Sequence, residues 1–141
     1  MPWCVRKCPY CDFNSHVRDG VDHAAWREAL LRELRYWHEL VPNHTVTSIF
    51  FGGGTPSLLP VRLLVEIFES LQKNFTFSES CEITTEANPE TVHPEWVTGI
   101  RQNTPINRIS LGAQSFDLEN LRKLERLCGP ERVVEAATLL K

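Results

Sequence analysis

The chain has 141 residues, 42% hydrophobic and 23% charged, a balance that fits one ordinary folded domain and excludes disordered, collagen-like and disulfide-stapled classes. With 15 Lys and Arg against 18 Asp and Glu, the formal charge is -3 and no run of like charges occurs, so nucleic acid is not an expected partner. No apolar stretch approaches the ~20 residues of a membrane span, and Met1 opens neither a signal core nor an amphipathic leader; the expected compartment is the cytoplasm.

In chain order, Asp22 opens a helical stretch in which Trp26, Leu30, Leu34 and Trp37 form one apolar stripe, ended by Pro42. The β-branched and aromatic run Val46–Phe51 predicts a strand, cut off by Gly52, Gly53 and Gly54. After Pro60, the stripe Leu64, Ile67, Phe68, Leu71 and Phe75 predicts a second helix. Cys81–Glu86 predicts a second strand, stopped by Asn88 and Pro89. A third helix is expected from near His93 to Asn103, and a third strand over Arg108–Leu111, leading into Gly112 to Ser115. Asp117 can cap a helix running through Leu127, and Gly129-Pro130 separates it from a last helical stretch to Lys141.

Helix and strand alternate throughout, which implies β-α-β units, a parallel sheet and the α/β class, because parallel neighbours need a crossover that a helix supplies. Ligands in such folds gather at the C-terminal ends of the strands. Here those ends carry Gly53, Gly54 and Thr55, then Glu86, then Gln114.

Of five cysteines, Cys4, Cys8 and Cys11 cluster, whereas Cys81 and Cys128 stand alone and are expected to pack as small hydrophobes. The spacing Cys4-x-x-x-Cys8-x-x-Cys11 places three soft thiolates on one short loop, suited to an iron–sulfur cluster with one iron left open. A zinc site is the alternative, with His16, Cys81 or Cys128 as the fourth ligand.

Cys4-Val5-Arg6-Lys7-Cys8-Pro9-Tyr10-Cys11 resembles the signature of the radical S-adenosylmethionine (SAM) superfamily. The wider string from Pro2-Trp3-Cys4 to Cys11-Asp12-Phe13-Asn14-Ser15-His16 resembles more narrowly the HemW branch of heme chaperones, related to the oxygen-independent coproporphyrinogen oxidases. Phe51-Gly52-Gly53-Gly54-Thr55-Pro56-Ser57, Thr85-Glu86-Ala87-Asn88-Pro89 and Asn107 through Phe116 follow in the same family's order.

The resemblance implies a partial (β/α) barrel and a four-iron, four-sulfur cluster on Cys4, Cys8 and Cys11. It implies S-adenosylmethionine at the open iron, cleaved by an electron from the cluster to a 5′-deoxyadenosyl radical. Gly53 and Gly54 would let the backbone approach its methionine moiety, Thr55 would add a hydroxyl, Tyr10 would lie against the adenine and Glu86 would accept hydrogen bonds. Gln114 and Arg126 correspond to positions that contact a second adenosylmethionine in the related oxidases. Expected partners are heme or a porphyrin, a heme-acceptor protein and an electron donor. The alternatives are a coproporphyrinogen dehydrogenase and an inactive truncated relic.

Three departures from the family pattern matter. Where the oxidases carry a further cysteine two residues past the third ligand, this chain has Phe13, which favours the chaperone reading. In place of the common Leu-Gly-Arg-x-His it has Leu124-Glu125-Arg126-Leu127-Cys128. No strand precedes Cys4 and no further β-α units follow Lys141, so residues 1–141 are expected to form a truncated core domain, roughly the first half of the barrel with its first strand missing.

Overall fold

The computed structural model describes residues 1–18 and 20–141. Two short strands, β1 (Trp3–Cys4) and β2 (His16–Val17), pair in parallel with Trp3 opposite His16, and the cysteine loop is the connection between them. Helix α1 (His23–Leu40) follows, capped by the Asp22 carboxylate, which accepts from the Ala25 amide at 2.9 Å. Strand β3 (Thr45–Phe51), helix α2 (Val61–Asn74), strand β4 (Thr76–Ala87), helix α3 (Pro94–Asn103) and strand β5 (Arg108–Leu111) alternate as the composition of each segment demands. Helices α4 (Leu118–Lys123) and α5 (Pro130–Leu139) complete the described chain. The main sheet has the order β3-β4-β5 and both pairings are parallel, so the α/β reading and the partial barrel stand.

The core lies between this sheet and its helices. Leu63, Leu64, Ile67, Phe68 and Leu71 form the buried face of α2, and they meet Cys81, Ile83 and Ala87 at alternate positions of β4. Trp96, Val97 and Ile100 of α3 and Ala136 of α5 close the same cluster. Cys81 is therefore a packed hydrophobe, as its isolation suggested.

Beyond the two-residue strands β1 and β2, which no β-branched run predicts, three elements differ from expectation. The α1 stripe is only partly covered: Trp26, Leu30 and Leu34 pack against the core, but Trp37 is 48% exposed, its indole N–H donating to Glu33 on the same helix. The helix outruns the surface it packs on. Strand β4 begins five residues earlier than its apolar run, because Thr76 and Phe77 pair with Thr45 and Val46 ahead of a break in register. Helix α4 stops at Lys123 instead of Leu127, since Glu125 takes a left-handed φ of 52° that ends the helical ladder.

Candidate cluster and cofactor site

The cysteine loop is shaped by its own backbone. Cys11 N–H donates to Cys8 C=O at 3.1 Å, Ser15 N–H to Phe13 C=O at 2.7 Å, and the Lys7 ammonium spans the loop to the Ser15 hydroxyl at 3.1 Å. On this loop Cys4, Cys8 and Cys11 are half-buried. Beside them, the loop after β3 approaches the first residues of the chain: Thr55 N–H donates to Trp3 C=O at 2.7 Å and Gly54 N–H donates to Met1 C=O. A Cβ on Gly53, whose φ is 111°, would sit 2.6 Å from the Met1 carbonyl oxygen, and one on Gly54 would strike the Trp3 backbone. Here the glycines admit a neighbouring stretch of main chain, a requirement separate from any ligand.

Polar groups from three strand ends converge on this point. Thr55, 2% exposed, donates its hydroxyl to Cys4 Sγ at 3.5 Å and accepts from Asn88 Nδ2 at 3.2 Å. Glu86 accepts from Gly53 N–H at 3.2 Å. Gln114 takes a left-handed φ of 65° in the turn after β5. Arg126 arrives from the turn after α4 with its side chain only 5% exposed, donating to Cys8 Sγ at 3.7 Å, Tyr10 Oη at 3.4 Å, Asn88 Oδ1 at 3.2 Å and Gly112 C=O at 3.3 Å.

The electrostatics follow from these neighbours. Burial opposes the charge on Arg126, but Glu90 and Tyr10 outweigh it and hold the guanidinium above its ordinary value. Burial pushes the Tyr10 phenol up, against the pull of Arg126. Burial also raises the Cys128 thiol, and the Glu90 carboxylate, 3.7 Å away, adds to it.

A cavity of about 420 Å³ opens at this position. Cys4, Cys8, Cys11, Tyr10, Gly53, Gly54, Thr55, Glu86, Gln114 and Arg126 all line it, so the structure brings every residue expected at the site to one place. Among the described residues, no three His, Cys, Asp or Glu side chains converge where a single ion would sit, and Cys81 lies in the core below. Cys4, Cys8 and Cys11 share one wall of the cavity, and their soft sulfur donors suit a thiophilic inorganic group. Asn88 and Arg6 line the cavity as well, though neither carries a local signal of its own. Asn88 lies within a motif already singled out but bridges Thr55 to Arg126 through contacts that only folding creates.

A family profile described as the radical SAM superfamily matches residues 1–141. The chain belongs to the radical SAM superfamily. This radical SAM chain is 41% identical over 140 residues to the heme chaperone HemW of Escherichia coli (strain K12), covering 99% of itself and 37% of that protein. It is 35% identical over 127 residues to the mitochondrial radical S-adenosyl methionine domain-containing protein 1 of Danio rerio, covering 89% of itself and 28% of that protein. Among solved structures, coproporphyrinogen III oxidase (HemN) from Escherichia coli, a radical SAM enzyme, superposes with a TM-score of 0.87 at 26% identity, over 99% of this chain and 32% of that one. The radical SAM chain thus spans between 28% and 38% of the length of the curated relatives it matches. No helix among the described residues is long and apolar enough to cross a membrane.

Proposed function

We propose that this chain is the cofactor-binding part of a HemW-like heme chaperone, with Cys4, Cys8 and Cys11 as ligands of a four-iron, four-sulfur cluster and S-adenosylmethionine beside it. The observation that carries the reading is the convergence of three thiols and seven non-cysteine residues around one cavity at the strand ends. Such a cluster supplies an electron for breaking a sulfonium bond when both groups are bound.

The chain's own residues would bind and orient. Gly53 and Gly54 keep the wall thin, and Glu86, anchored on Gly53 N–H, offers a carboxylate oxygen to an ammonium. The buried Arg126 cation stands ready for a carboxylate or adenosine oxygen, and Gln114, held in a left-handed turn, presents an amide. Tyr10, tethered through its hydroxyl to Arg126, supplies a flat face for a purine. Phe13 lines the cavity, and a phenylalanine rather than a further cysteine here, together with the similarity to HemW, supports the chaperone reading over the oxidase. Heme or a porphyrin, a heme-acceptor protein and an electron donor are the partners this function requires, in the cytoplasm.

Anaerobic reconstitution with ferrous salt and sulfide tests the proposal. Brown protein that binds S-adenosylmethionine by calorimetry, and loses both properties in Cys8→Ser, is expected. Colourless protein carrying zinc would sink it. Conversion of coproporphyrinogen by a chain extended to the length of its relatives would instead favour the dehydrogenase, to which the HemN likeness points.

A further inference from the structure

We propose that the turn ending α4 is a clasp on the cysteine loop, in which Glu125 and Arg126 act as positioning residues that hold Cys8 in place before any ligand arrives. The inference rests on the reading of Cys8 as a cluster ligand.

The turn has a defined geometry. Glu125 N–H donates to Arg122 C=O at 3.0 Å and Arg126 N–H to Leu121 C=O at 2.9 Å, the paired bonds of a Schellman ending. Its left-handed position ordinarily belongs to glycine, because a Cβ is strained there. In this chain the position is Glu125, at φ 52°. Its carboxylate accepts from Arg6 Nη2 at 2.6 Å, across 119 residues of sequence. The next residue, Arg126, reaches Cys8 Sγ and Tyr10 Oη on the same loop, while Asn88, Gly112 and Glu90 anchor it to the strand ends.

Two consecutive side chains thus grip three alternate loop residues, Arg6, Cys8 and Tyr10. The departure from glycine at Glu125 exchanges backbone ease for an ion pair to the loop that glycine could not make. Arg126 has a second consequence. A cation donating to a sulfur ligand eases the addition of an electron to the group that sulfur binds, so Arg126 would raise its reduction potential.

Hydrogen exchange on the 141-residue chain, before any reconstitution, reads the clasp directly. Glu125→Gln should speed exchange of the Cys4–Phe13 segment about two- to five-fold, the range of an exposed ion pair, with α2 and β4 unchanged. Glu125→Gly should loosen the same segment while leaving the melting temperature no lower, because it relieves the strained φ. Exchanging the charges, Arg6→Glu with Glu125→Arg, should restore protection.

After reconstitution, Arg126→Met should lower the midpoint potential, and Arg126→Lys should recover part of it. Unchanged exchange in both Glu125 variants, or an unchanged potential in Arg126→Met, would overturn the proposal. Should Arg126→Met lose protection everywhere, the Glu125 variants decide. A native chain that assembles no cluster would defeat the functional reading, yet the exchange comparison would still judge the clasp.

Discussion

The Thr55 hydroxyl stands 3.5 Å from the Cys4 sulfur, joining the glycine loop after β3 to the first residue of the cysteine motif. Thr55 is also the acceptor for Asn88 Nδ2, so one buried hydroxyl links two of the three strand ends to the thiols.

Thr55→Val should therefore destabilise the chain by about 1–3 kcal/mol, because it leaves the half-buried Asn88 amide without its acceptor. Thr55→Ser should recover most of the loss. Urea denaturation followed by far-ultraviolet circular dichroism measures both, and a valine variant as stable as the native chain would contradict the arrangement.

Gly54→Ala should displace Met1–Trp3, since the new methyl would strike the Trp3 backbone and not a yielding side-chain tip. The expected cost is about 1–3 kcal/mol, an overpacking effect. It should be accompanied by loss of hydrogen-exchange protection at Thr55 and His16, whose amides bond to Trp3 and Pro2.

Leu64→Ala should cost about 2–5 kcal/mol by opening a void in the α2 face of the core. Because Leu64 does not line the cavity, reconstituted iron per folded chain should not change.

Cys128 should alkylate more slowly at pH 8 than an exposed cysteine, as burial and then Glu90 hold its thiol up. Glu90→Gln should speed the reaction at the same pH. The folded state keeps this proton more tightly than the unfolded state, so the contribution to stability is whole below about pH 8.5, the ordinary thiol value. It is lost as pH rises through the folded thiol's higher range. Iodoacetamide labelling followed by peptide mass spectrometry checks the rates, and urea midpoints across pH 7–10 check the linkage.

Much of the fold was legible in residue order alone. Asp22, Pro60, His93, Asp117 and Pro130 mark helix starts by local capping chemistry or by a pre-set φ, which depends on a few adjacent residues. The strand centres were equally plain, because β-branched runs stop at Gly52 and Asn88. Less visible were the end of α4 and the exposure of Trp37. An apolar stripe shows which face of a helix can pack, but not where its partner surface stops.

The amino-acid order by itself determined the alternation of elements, the family resemblance and the set of thiols, since each is encoded by neighbours in the chain. Tertiary structure decided which distant groups meet those thiols. Arg126 lies 118 residues from Cys8 and touches it only because parallel crossovers return every strand end to the same side of the sheet. A contact of that kind depends on side-chain reach and packing across three connections, and no local pattern of residues records it.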